Sequence, residues 1–127
     1  MKNIISLPRK LKRNLIALGE KYLGYSFPVI RATDFMVYKR TGNHVDYEAK
    51  YFARRYALNS LVTAECIEYQ GRFTNDIVNG IFAFCEESAW QLPPHNSCPG
   101  DGPQAILPDA ARPVLNLFAC DTGTMLA

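Results

Sequence analysis

The chain has 127 residues, 48% hydrophobic and 12% aromatic, with a formal net charge of +2. That length suits one domain, residues 1–127, and the apolar share supports a real core, which excludes an intrinsically disordered chain. No apolar run approaches the roughly 18 residues of a membrane span, and MKNIISLPRKLKRN lacks a signal-peptide core, so the expectation is a soluble, cytoplasmic protein.

The charge is unevenly placed. Residues 1–24 carry six Lys/Arg against the single acid Glu20, whereas residues 25–127 carry eight against eleven. This basic first segment has apolar Leu11, Leu15, Ile16, Leu18, Tyr22 and Leu23 at helical spacing. Ser6 is the expected cap, Pro8 lies in the first turn, and Gly24 is the expected stop. The segment reads as a solvated helix face. It has no interleaved aromatics and no recognition motif follows it, so neither nucleic acid nor membrane is expected as a partner.

Pro28 makes YSFPVIR an extended connector. Thr33 is the expected cap of a short helix ending at Thr41, closed by Gly42-Asn43. A long helix is expected over 46–70, with Asp46 as cap and Gly71 after its end. Tyr47, Tyr51, Phe52, Tyr56, Leu58, Leu61, Val62, Cys66 and Ile67 make it apolar over most of its circumference, which predicts cover on more than one side. Arg54 and Glu65 interrupt that stripe. They are three turns apart, about 16 Å, too far to pair with each other. Each is therefore expected to be partly buried with its own partner.

Thr74 or Asn75 caps a fourth expected helix running to Ala89, with Ile77, Ile81 and Phe84 on one side and Val78, Phe82 and Cys85 beside them. Gly80 within it costs roughly 1 kcal/mol against alanine, which points to a close neighbour. Residues 90–113 hold six of the eight prolines. Trp90, Leu92, Ile106 and Leu107 are expected to pin this loop down. The final helix is expected over 113–127, with Leu115, Phe118, Thr122 and Met125 at helical spacing.

Cys66, Cys85, Cys98 and Cys120 form no CxxC pair. They read as reduced core thiols rather than metal ligands. No P-loop, dinucleotide fingerprint, HExxH, GxSxG or EF-hand pattern is present, and no cofactor or metal is expected. The chemistry concentrates in CEESAWQLPPHN. Glu86 and Glu87 are adjacent, hence about 100° apart on a helix, a poor arrangement for a carboxylate pair. Trp90 suits either a core plug or a sugar platform. His95, in a proline-stiffened loop, is placed to work as base or charge neutraliser, or is simply structural.

Three stretches in order, TGNHVDYEAKYFARRYALNSLVTAECIEYQGRF, CEESAWQLPPHN and LPDAARPVLNLFACDTGTMLA, resemble the N-terminal helical region of heparinase II/III-like proteins. The resemblance spans about residues 30–127. It implies an all-α fold of antiparallel helical hairpins forming part of an incomplete α/α toroid. It also implies polysaccharide lyase chemistry on uronate-containing glycans, in which a neutralised carboxylate lets a base remove the C5 proton. By resemblance, His95 and Asn96 are the candidate catalytic residues, and Arg54, Arg55, Glu65, Glu87 and Trp90 the candidate substrate-binding residues. The segments that carry most of the family's chemistry lie further along its members, so this chain is expected to be inactive alone. The family also tends to have an acid where this chain has Asn116. The implied partner is an acidic polysaccharide or oligosaccharide. The rival expectation is a non-catalytic helical module that binds glycan or protein. Leu117, Phe118, Met125 and Leu126 have no following partner, which predicts a homo-oligomer through the open end.

Overall fold

A computed structural model describes residues 7–97, 100 and 102–127; Ser6 and Cys98 lie outside them. Among the described residues all regular structure is helical: α1 (Arg9–Glu20), α2 (Ala32–Thr41), α3 (Val45–Glu68), α4 (Thr74–Cys85), a 3-10 turn at Pro93–His95, and α5 (Leu117–Leu126). No helix among them is long and apolar enough to cross a membrane. Two compact units divide the chain: Met1–Phe27 with Ala53–Cys85, and Pro28–Phe52 with Glu86–Ala127. Helix α3 contributes its first eight residues to the second unit and the remainder to the first.

The first unit packs α1, the later part of α3 and α4 around Leu61, Ala64 and Phe73, with Ile16, Tyr22, Phe27 and Ile77 against them. Small residues set the spacing. A Cβ at Gly19 would lie 2.3 Å from the Ala64 Cβ and 3.0 Å from the Ser60 carbonyl oxygen. A Cβ at Gly80 would lie 2.7 Å from Phe27 Cζ and 2.9 Å from Leu58 Cδ1. The close neighbour expected at Gly80 is thus a ring from the connector together with a leucine of α3. The closer approach is at Gly19.

Arg54 and Glu65 are placed by the same geometry. Arg54, 8% exposed, donates through Nη1 to the Ala83 carbonyl at 3.2 Å, in the last turn of α4. Glu65, half-buried, accepts from the backbone N–H groups of Gly71 at 2.6 Å and Phe73 at 3.2 Å, just before α4 begins. Their separation of about 16 Å along α3 matches the roughly 18 Å length of twelve-residue α4. A carboxylate therefore sits at the N-terminal end of α4 and a guanidinium at its C-terminal end, the signs its dipole favours.

These contacts also explain where α3 and α4 stop. In a continuing helix the Ala83 carbonyl would accept from the residue four ahead, but here Arg54 supplies a donor. Helix α4 ends at Cys85 rather than at Ala89. Helix α3 ends at Glu68, two residues early, where Tyr69 takes a left-handed φ of 57° and Gly71 one of 79°. Glu65 holds that reversal.

In the second unit α2 starts at Ala32, and Asp34 does the work expected of Thr33: its Oδ2 accepts from the Arg31 backbone N–H at 2.9 Å. At the start of α3 the expected cap Asp46 is replaced by Asn43, whose Oδ1 accepts from Val45 N–H at 2.9 Å. Phe35, Tyr47, Tyr51 and Leu92 form the core, with Ile30 and Phe118 against it. Within it the Tyr51 hydroxyl is a hub. It lies 2.8 Å from the Trp90 carbonyl, 3.0 Å from Thr122 Oγ1 and 3.3 Å from the Phe118 carbonyl. Helix α5 starts at Leu117, later than its apolar spacing suggests, because Asn116 Oδ1 caps it by accepting from Ala119 N–H at 2.9 Å.

Three expectations about burial are corrected. Cys66, Cys85 and Cys120 are exposed free thiols, not core residues. Helix α3 is covered on more than one side, by α1 at Ser60 and Ala64 and by α4 at Arg54 and Leu58, but Phe52, Tyr56 and Val62 of its expected apolar circumference are exposed. Leu115 precedes α5 and is 85% exposed, so it takes no part in that helix's packed face.

Candidate functional site

The described residues among 86–114 of the second unit form a loop that folds on its own amides. Pro93 and Pro94 open a 3-10 turn, with His95 N–H bonded to the Leu92 carbonyl at 2.9 Å. Asn96, 6% exposed, donates from Nδ2 to the carbonyls of Ala105 (3.1 Å) and Leu107 (3.0 Å). Its Oδ1 accepts from Gln91 Nε2 at 3.0 Å, and Gln104 Nε2 donates to the Pro93 carbonyl at 2.6 Å. Leu92 and Pro93 are buried beneath this network, whereas Ile106 and Leu107 are exposed. The loop is thus ordered by amide side chains that satisfy carbonyls of a segment too irregular to satisfy its own.

Two depressions open on this loop. The larger, about 230 Å³, is lined by Glu87, Ser88, Trp90, Gln91, Asp109, Pro113 and neighbouring apolar residues. The smaller, about 90 Å³, is lined by Asn96, Ser97, Asp109, Arg112 and apolar groups. Asp109 and Val114 belong to both. Asp109 Oδ1 accepts from Ala111 N–H at 2.9 Å, which fixes the carboxylate relative to the rim.

The structure brings Glu87 and Trp90 to the larger depression, both half-buried. Asn96 lines the smaller one, with both ends of its amide already bonded. His95 is exposed and lines neither. Its ring lies 5.5 Å from that of Phe118. Arg54, Arg55 and Glu65 belong to the first unit, where Arg54 and Glu65 bracket α4 and the Arg55 guanidinium stacks 4.7 Å from the Phe84 ring centre. Among the described residues no cluster of three His, Cys, Asp or Glu side chains could hold a metal.

Sequence reasoning missed Gln91 and Asp109. Only Asp109 carried a local signal, the Pro-Asp pair that favours a turn. The burial of Gln91 depends on Asn96, five residues on, and nothing in its own neighbourhood marks it.

Comparison of the chain with protein-family models and with curated proteins finds no match.

Proposed function

We propose that the chain is a carbohydrate-binding helical module that takes a glycan at the Trp90 depression and does not carry out lyase chemistry alone. The observation that carries this reading is Trp90, half-buried at the edge of a depression of about 230 Å³ among carboxylate, hydroxyl and amide groups. An aromatic face offers a sugar ring apolar contact, and the surrounding polar groups exchange hydrogen bonds with its hydroxyls. The resemblance of three sequence stretches to heparinase II/III-like proteins supports the same ligand class, and with it an incomplete α/α toroid and a uronate-containing glycan. Against catalysis by this chain alone stands Asn96, whose amide is spent on Gln91, Ala105 and Leu107. The test incubates the chain with uronate-containing polysaccharide and follows both binding and unsaturated product by ultraviolet absorbance. Binding without product is expected. Product would make the chain a lyase, and absence of binding would remove the glycan reading.

A second reading, association with its own copies, is favoured by exposed Leu117 at 78% and by Phe52 and Tyr56 on α3. Sedimentation at micromolar concentration tests it, and a monomer would discard it.

A further inference from the structure

Resting on that carbohydrate reading, we propose that the exposed side of α1 is a second glycan contact, which holds the carboxylates of a uronate-containing chain. The first unit carries nine Lys/Arg against four Asp/Glu, whereas the second carries five against eight. Three of the first unit's acids are engaged elsewhere: Glu20 and Glu68 with Arg72, and Glu65 with the backbone N–H groups of Gly71 and Phe73. The fourth, Asp76, lies in the first turn of α4. Arg9, Lys10, Arg13 and Lys21 are exposed, and helical geometry sets them within about 120° of the circumference along about 18 Å. Their placement works against the helix itself. No acid stands in the first turn of α1 and no side chain caps it, yet Arg9 and Lys10 occupy the end where the dipole favours negative charge. An anion arriving from outside relieves that conflict. A linear polyuronate suits the stripe better than other polyanions. Arg9 and Arg13 are one turn apart, about 6 Å along the axis, close to the repeat of single sugar units along an extended chain. The stripe has no aromatic side chain on which a base could stack. The opposite side of α1 is not open to a lipid surface, because Ile16 and Gly19 pack against α3.

The intact chain is titrated over a range of salt with a polyuronate, with single-stranded RNA and with phosphatidylserine vesicles. Polyuronate is expected to bind most tightly. The triple variant Arg9→Gln, Lys10→Gln, Arg13→Gln is expected to bind it roughly tenfold more weakly at low salt and to lower the salt slope by about 2, the effect of three lost contacts to a single-stranded polyanion. All three side chains are exposed and their loss relieves the helix N-terminus, so the variant retains the fold. Lys39→Gln with Arg40→Gln, on α2, is the control and is expected to leave the slope unchanged. Equal losses in the triple variant and the control would reduce the effect to net charge and overturn the inference. RNA or vesicles binding more tightly than polyuronate would overturn the choice of ligand. Trp90 is the only tryptophan, so its emission reports separately on the depression in the second unit. Polyuronate that shifts this emission and binds the triple variant as tightly as the parent chain would remove the α1 contact and leave the glycan reading intact. No binding by either measure would remove both.

Discussion

The two units reach order by different means. The first is held by close helix packing at Gly19 and Gly80, with Arg54 and Glu65 spent on the ends of one helix. The second is held by hydroxyls and amides, Tyr51 in its core and Asn96 in its loop, each satisfying carbonyls distant in sequence. The difference follows from regularity. A helix satisfies its own interior backbone, so packing sets its stability; a proline-rich loop cannot, and its carbonyls must find side-chain donors. Steric changes should therefore damage the first unit most, and loss of a donor the second.

The largest effect is expected at Gly19. Alanine is the better helix former by about 1 kcal/mol, yet the new methyl would overlap Ala64 Cβ at 2.3 Å, where neither neighbour can swing aside. Overpacking of this kind typically costs about 1–3 kcal/mol, so Gly19→Ala should lower stability by about 2 kcal/mol in denaturant unfolding. A stabilised variant would show that α1 moves freely on α3. In the second unit Tyr51→Phe keeps the ring and removes the hub. Thr122 still donates to the Phe118 carbonyl at 2.9 Å, but the Trp90 carbonyl loses its 2.8 Å donor. The expected cost is about 1 kcal/mol, that of hydrogen bonds lost at a partly buried hydroxyl hub. Amide exchange should show protection lost mainly in α5.

The ends of α4 give a finer comparison. Arg54→Met keeps the apolar stem but removes a cation and a donor from the last turn, for an expected cost of about 1–2 kcal/mol. Glu65→Gln keeps one acceptor and loses only charge, so about 0.5–1 kcal/mol is expected. Chemical denaturation of both variants checks the order. Equal costs would mean that charge rather than hydrogen bonding is what α3 supplies to α4.

How much of this was legible beforehand follows the same division. Helix identities came from apolar spacing, and the position of Arg54 and Glu65 within a stripe of Tyr47, Tyr51, Leu58 and Leu61 announced that both need partners. Their shared role at the two ends of α4 was not legible, because it depends on the length of a neighbouring helix. Helix ends were misjudged where a side chain intervened: Asp34 instead of Thr33, Asn43 instead of Asp46, and Arg54 on the Ala83 carbonyl ending α4 early. Burial was misjudged for Cys66, Phe52 and Tyr56, since apolar character does not say which side of a helix is covered. In the site, Trp90 and Glu87 could be picked by residue type. Gln91 and Asp109 could not be assigned before the loop was folded.

A smaller effect separates electrostatics from packing in the second unit. Burial alone would raise the Asp34 carboxyl, but hydrogen bonds from Lys50, at 2.8 Å, and from the Arg31 backbone and side chain outweigh it and hold the group below its ordinary value of 3.8. A folded-state value below the unfolded one favours the unfolded chain when protons bind. The Asp34 contribution is therefore fully present above the ordinary carboxylate range and disappears as pH falls through and below it. Because Lys50 is one-third exposed, solvent screening limits the pair to about 0.5–1 kcal/mol. Lys50→Met should flatten the acid limb of a stability–pH curve by that amount, and an unaltered limb would assign acid sensitivity to other carboxylates.

Asn116 offers the one change expected to stabilise. Its Oδ1 caps α5 through Ala119 N–H, but its Nδ2 is buried with no hydrogen-bond partner among the described residues. The amide therefore serves as an acceptor and strands a donor, a defect that costs about 1 kcal/mol or more. Aspartate is as good a cap, has no N–H to strand, and places negative charge at the helix N-terminus, where the dipole favours it. Against these gains stands partial desolvation of a carboxylate at a half-buried position. The hydrogen bond already in place for the new oxygen reduces that cost, so Asn116→Asp is expected to gain about 0.5 kcal/mol near neutral pH. The gain should vanish as the carboxyl protonates in acid, which distinguishes it from a repacking effect. Thermal unfolding at neutral and acidic pH measures both. A loss of stability at neutral pH would mean that desolvation outweighs the cap and the dipole, and that the buried amide is the better compromise at this helix end.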